Sequence, residues 1–184
     1  MEERPEAVLA GGRVVVWDVR QAAKLYKEGF YGKFVGVSKP KTFDVERPLE
    51  LSLIEALYLL EKGRLRLLDA EGRELSPEEV RELGERSEEV FLDRYRVYKD
   101  LRERGYVVRP GLKFGATFAV YKYGPGIDHA PFLVLVVPSS VKLSAIDVVR
   151  AGRLSHSVRK KFILATTNPT TRGLNYYMFT WFKA

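Results

Sequence analysis

The sequence contains no cysteine. That removes disulfides, thiolate metal sites and cysteine nucleophiles together. Histidine is nearly as scarce, with only His129 and His156 in 184 residues, which disfavours a zinc site. No apolar run approaches the roughly 20 residues of a membrane span, so no membrane partner is expected. The opening residues, MEERPEAVLA, lack a signal peptide's basic start and apolar segment, and the expected location is cytoplasmic. A Gly-rich phosphate loop is also missing, because GPGID leads into an apolar strand and not into a Gly-Lys helix start. The last quarter, finally, lacks acid. From Val141 to Ala184 there are eight Lys and Arg but one carboxylate, Asp147, so this quarter carries +7, as much as the whole chain. Concentrated positive charge is what phosphate binding needs.

What is present suffices for a folded, soluble protein: 46% of residues are hydrophobic and 30% charged. The length allows one large domain or two small ones. GGRVVVWD reads as a strand, and Asp18 caps a helix through QAAKLYKEGF. The polar segment 38–48, with two prolines, reads as a projecting loop. Ser52 with Glu55 forms a capping box for LSLIEALYLLEKG, and Ser76 with Glu79 opens another helix after a turn at Glu71-Gly72. SEEVFLDRYRVYKDLRERG reads as a long amphipathic helix with a solvated charged face, stopped by Gly105. Strands follow: YVVRPGLKFG as a hairpin-like unit, FAVYKY and FLVLVVP joined by GPGIDHAP, then KFILATT and YYMFTWFK. Between them SAIDVVRAGRLSHSVRKK reads as a helix. Val148, Ala151, Leu154 and Val158 form its apolar stripe, and Arg150, Arg153, Ser157 and Lys160 its cationic face. The expected organisation is an α/β (α+β) protein, with a small N-terminal α/β domain over 1–85 and a second domain over 86–184.

The residues that can carry chemistry are few. Asp128 beside a strand invites a metal-dependent nuclease, but the next strand has no carboxylate and the helix after it only Asp147. The expectation is therefore no metal and no cofactor. Metal-free RNA cleavage needs a base for the ribose 2′-OH, an acid for the leaving 5′ oxygen, and a cation for the charge developing on phosphorus. His129 suits the acid, because histidine titrates near working pH. Tyr121 is an awkward base with a reference pKa of ~10, which nearby cations such as Lys160 are expected to lower. Spacing alone does not bring the three together, and Tyr123 competes with Tyr121 on the same strand face.

Five stretches carry a family resemblance: YGKFVGV…LELSLIEALYLLEKGRL, YRVYKDLRERGYVVRPGLKFGATFAVY, HAPFLVLVV, GRLSHSVRKKFILATT and YYMFTWFK. In this order, from about Tyr31 onward, the chain resembles the archaeal tRNA-splicing endonucleases. The resemblance implies a C-terminal nuclease-like domain with a mixed central sheet flanked by helices. It implies a triad of Tyr121 as base, His129 as acid and Lys160 as charge stabiliser. It implies cleavage of bulge-helix-bulge precursor tRNA, without metal, to a 2′,3′-cyclic phosphate and a 5′-hydroxyl. Arg153 and Trp181 match positions that grip a flipped bulge base, a task suited to guanidinium and indole faces.

Two departures from the family's pattern matter. Family members assemble through an acidic loop between the last two strands, and here that loop, NPTTRGL over Asn168–Leu174, has no acid. A triad without the plug resembles the catalytic chain of a crenarchaeal-like α2β2 enzyme, whose partner is a second, structural subunit. The other departure is the insertion at 38–48, where Lys39, Lys41 and Arg47 can reach phosphates or can simply lie on a tolerated surface loop. The alternative function is a non-catalytic RNA-binding or assembly subunit of the same kind of complex.

Overall fold

A computed structural model of the chain describes residues 4–37, 40, 42–157, 160–171 and 173–179, with the backbone alone at 114, 151 and 154–157. It divides into two compact units, Met1–Leu92 and Asp93–Ala184. Charge divides with them. The first unit has fifteen Lys and Arg against nineteen Asp and Glu, a net −4; the second has sixteen against five, a net +11.

The first unit holds β1 (Glu6–Ala10), β2 (Arg13–Val16), α1 (Val19–Gly29), β3 (Lys33–Phe34), β4 (Leu49–Leu51), α2 (Leu53–Glu61), β5 (Arg66–Leu68) and α3 (Pro77–Ser87). The strands form one mixed sheet in the order β3-β4-β2-β1-β5, with β1 and β5 parallel. Its helices start where their caps dictate. Asp18 accepts from the N–H groups of Arg20 and Gln21, and both capping boxes are complete, at Ser52 with Glu55 and at Ser76 with Glu79. Each such cap contributes about 1 kcal/mol of helix stability. No strand was expected at Glu6–Ala10; β1 pairs with β2 on one side and with β5 on the other. The inserted loop is anchored at Phe43, whose ring lies 5.5 Å from that of Phe30 and 6.3 Å from that of Tyr26.

The second unit is built on α4 (Phe91–Glu103), whose first two residues belong to the first unit. It continues with β6 (Val107–Pro110), β7 (Phe118–Tyr121), β8 (Phe132–Val136), α5 (Ala145–Ser157), β9 (Lys161–Thr167) and β10 (Leu174–Phe179). The sheet order is β10-β9-β8-β7-β6, antiparallel except for β8 and β9, which α5 joins as a crossover. The expected mixed α and β architecture is thus present in both units.

Strand alternation assigns the two faces of this sheet. On one face α4 packs: the ring of Tyr98 lies 5.9 Å from that of Phe118, and the Asp93 and Asp100 carboxylates accept from the hydroxyls of Thr167 and Tyr176, each at 2.6 Å. The charges of α4 are not all solvated, which corrects the sequence reading. Arg102 is buried, and its guanidinium donates to the Tyr98 hydroxyl at 3.0 Å and to the Val108 carbonyl at 3.4 Å. A buried cation requires such partners. The opposite face carries Ala119, Tyr121, Leu133, Phe162 and Leu164, and α5 packs against β9.

Candidate active site

One end of the second sheet carries two of the three candidate residues, Tyr121 and Lys160, and His129 lies on the loop that leads into β8. Val120 of β7 pairs with Phe132 of β8, and Phe132 pairs in turn with Lys161 of β9. One residue beyond these pairs stand Tyr121, Pro131 and Lys160, a row across three neighbouring strands. Two strand spacings separate its outer members, about 10 Å between Cα atoms. Alternation gives both the same face, because Tyr121 follows Ala119 and Lys160 precedes Phe162, and Ala119 and Phe162 both pair with Leu133. Lys160 lies just before β9 and not on the helix where its spacing had set it, since α5 is described only as far as Ser157.

Ala130 ties the row together. Its carbonyl accepts a hydrogen bond of 2.7 Å from Lys160 Nζ. Its methyl belongs to the buried cluster of Ala116, Ala119, Ala130 and Leu133, against which the half-buried Tyr121 ring packs. His129, the next residue back, is exposed.

The ring of Tyr121 sits in a conflicted field. Burial pushes its hydroxyl above the ordinary tyrosine pKa, the Arg109 guanidinium opposes the shift, and the Asp128 carboxylate adds to it. The net direction is upward, which corrects the expectation that nearby cations dominate. The opposing cation is Arg109, not Lys160. It lies on the neighbouring strand, where Arg109 pairs with Ala119 and Val107 with Tyr121. Tyr123, the competitor from sequence, is past the strand end, 59% exposed, with Lys122 Nζ 5.3 Å from its ring centroid.

The link from Tyr121 to His129 is a closed loop. Gly124 and Gly126 have φ of 133° and 87°, values that favour glycine. The Asp128 carboxylate accepts from the backbone N–H groups of Lys122 at 3.0 Å, Tyr123 at 3.3 Å and Gly124 at 2.7 Å. The N–H groups of Ile127 and Asp128 both donate to the Gly124 carbonyl. Burial pushes the Asp128 carboxyl up, but the N–H groups of Gly124, Tyr123 and Lys122 outweigh it and hold it below the usual carboxylate range. Asp147, the other carboxylate weighed as a metal ligand, accepts from the hydroxyl and the N–H of Ser144 at the start of α5. Asp128, weighed in the sequence as a metal ligand and set aside for want of further carboxylates, serves instead as the acceptor for N–H groups that precede it in the chain.

Among the remaining candidates, Arg153 is exposed on α5. Trp181, Lys39 and Lys41 lie outside the described residues. A six-residue connection, 168–173, joins β9 to β10. Asn168 Oδ1 accepts from the N–H groups of Thr170 and Thr171, and the Asn168 N–H donates to the Gly173 carbonyl at 2.7 Å.

Comparison with known proteins agrees with this architecture. Residues 6–81 match the tRNA intron endonuclease N-terminal domain, and residues 91–176 match the tRNA intron endonuclease catalytic C-terminal domain. The chain belongs to the tRNA intron endonuclease family. It is 51% identical over 177 residues to a tRNA-splicing endonuclease of Hyperthermus butylicus, covering 96% of this chain and 98% of that one. It is 49% identical over 181 residues to one of Pyrobaculum islandicum, covering 97% and 99%. It is 44% identical over 179 residues to one of Saccharolobus islandicus, covering 97% and 98%. The protein is an endonuclease enzyme of tRNA splicing, and its second unit is the family's catalytic domain.

Proposed function

We propose that this chain is the catalytic subunit of its enzyme and cuts precursor tRNA at bulge-helix-bulge sites without a metal. Tyr121 takes the proton of the 2′-OH, which attacks the adjacent phosphorus. His129 gives a proton to the departing 5′ oxygen. Lys160 lies against the charge that develops on the non-bridging oxygens. The P–O5′ bond breaks as the P–O2′ bond forms, leaving a 2′,3′-cyclic phosphate and a 5′-hydroxyl. General acid and base groups of this kind each contribute roughly 10²–10⁴ in rate.

The observation that carries this reading is the 2.7 Å hydrogen bond from Lys160 to Ala130. It puts the cation beside the residue that follows His129, in the row that Tyr121 ends. A catalytic unit with net charge +11 suits an RNA partner.

The assembly reading is a heterotetramer with a second, structural subunit, located in the cytoplasm. Its support is the Asn168–Gly173 hairpin, which is closed by its own side chains and carries no carboxylate to dock elsewhere.

The test is cleavage of a bulge-helix-bulge RNA in excess chelator, by this chain alone and with a partner that carries an acidic loop, reading the chemistry of the new ends. Cyclic-phosphate ends formed only with the partner support both parts of the proposal. Cleavage by the chain alone overturns the assembly. RNA bound but uncut in both mixtures, on a substrate that a control enzyme cuts, makes the chain a binding subunit.

A further inference from the structure

We propose that Asp128 is the positioning residue of this site, its carboxylate fastening the loop that carries His129 to the strand end that carries Tyr121. This rests on the acid and base reading given above and adds to it a residue outside the triad.

The loop is poorly suited to hold a catalytic group unaided. It contains Gly124, Pro125 and Gly126, and glycine loses more conformational freedom on ordering than other residues do. Few groups oppose that loss. Gly124 receives two backbone bonds, from Ile127 and Asp128. Among the described residues, a bridge between Pro125 and Asp128 and one side chain add to these. Asp128 takes three N–H groups, and the first belongs to Lys122. Lys122 follows Tyr121 directly and Asp128 directly precedes His129. One carboxylate therefore joins the neighbour of the base to the neighbour of the acid. Hydrogen bonds to an ionised carboxylate are about twice as strong as neutral ones, which matters where water competes. An acid must sit within hydrogen-bond reach of its oxygen, and a misplacement of ~1 Å can cost ~10² in rate.

A carboxylate could close this loop for stability alone, so the test must separate the two roles. The full chain, in the assembly in which it cuts, is compared with Asp128→Asn, Asp128→Ala, His129→Ala and the Asp128→Ala/His129→Ala pair. The readouts are single-turnover cleavage, precursor affinity, thermal midpoint and exchange of the Lys122, Tyr123 and Gly124 amides. Asn keeps one acceptor oxygen and the side-chain shape but loses the charge. Cleavage is expected to fall ~10-fold in Asp128→Asn and ~100-fold in Asp128→Ala. Affinity stays within error, the midpoint falls modestly with both variants still folded at the assay temperature, and the three amides exchange faster. With His129 already removed, Asp128→Ala has little left to disturb, so the two losses are not multiplicative.

Wild-type cleavage by both Asp128 variants overturns the proposal while leaving the triad intact. So does an Asp128→Ala loss that persists in full on the His129→Ala background. Normal cleavage by His129→Ala is a different failure, because it removes the acid assignment itself.

Discussion

Lys160 Nζ donates a 2.7 Å hydrogen bond to the carbonyl of Ala130, thirty residues earlier in the chain. The bond crosses from the start of β9 to the start of β8, two strands whose only link in sequence is the α5 crossover. It fixes an ammonium group on Ala130, the residue that follows the proposed acid His129.

That geometry sets a first prediction. Lys160→Ala is expected to lower single-turnover cleavage by ~10²–10³, the usual cost of removing one charge stabiliser, with precursor affinity reduced only a few-fold. Lys160→Arg restores little, because a planar fork does not reproduce a compact point charge at the same place. A full rate in Lys160→Arg would mean that bulk positive charge is all the site requires there.

Legibility differed from residue to residue. The caps at Asp18, Ser52 and Ser76 were readable because a cap is a contract among residues two or three apart. The strands FAVYKY and FLVLVVP were readable from local apolar content. Tyr121 was separated from Tyr123 by the family resemblance alone; in the structure β7 ends at Tyr121, which is half-buried, and Tyr123 is exposed. Lys160 matched the spacing of Arg153 and Ser157 and was read onto the helix. Its position is set instead by the parallel register of β8 and β9, which no local pattern encodes. Burial of Arg102 and the upward push on Tyr121 were hidden for the same reason, since both depend on what tertiary packing surrounds.

Arg109 gives a second prediction. Burial raises the pKa of Tyr121 and Arg109 opposes it, so Arg109→Met should raise it further. Less tyrosinate then exists at any pH below that pKa, and cleavage at neutral pH should drop several-fold. The deficit should close as the pH rises past the tyrosine pKa, where both proteins carry tyrosinate. A pH–rate series carried from neutral to beyond the raised tyrosine pKa of the wild type, with reaction times short against alkaline RNA hydrolysis, checks this. A deficit that stays constant throughout, with weaker binding, would make Arg109 a phosphate contact instead.

Tyr176 gives a third, on stability. Burial first and its hydrogen bond to Asp100 second push its pKa well above that of free tyrosine. The sign follows from linkage: in the window above ~10 the unfolded chain has lost this proton and the native state keeps it. The contribution is therefore complete below that pH and declines as alkalinity increases. Tyr176→Phe should flatten this decline, so the two stability curves converge at high pH. Denaturant unfolding at pH 8, 9, 10 and 11 measures it, and parallel curves would show that Tyr176 ionises equally in both states.

Arg153 gives the last. It is exposed on α5, three residues after the equally exposed Arg150, on a helix whose first turn is fixed by Ser144 and Asp147. Two uses of such an arginine differ in what they require. A phosphate contact requires charge, which lysine supplies. Stacking on a flipped base requires the guanidinium plane, which lysine lacks. Arg150→Ala, Arg153→Ala and Arg153→Lys separate them when affinity is followed against salt. If Arg153 stacks on a bulge base, Arg153→Lys cuts as poorly as Arg153→Ala although its salt dependence matches wild type. If it only meets a phosphate, Arg153→Lys recovers cleavage and Arg153→Ala lowers the salt slope by ~1, as expected for one lost ion contact. Arg150→Ala is expected to follow the second pattern, and a stacking pattern there would move the base-gripping role one turn along α5.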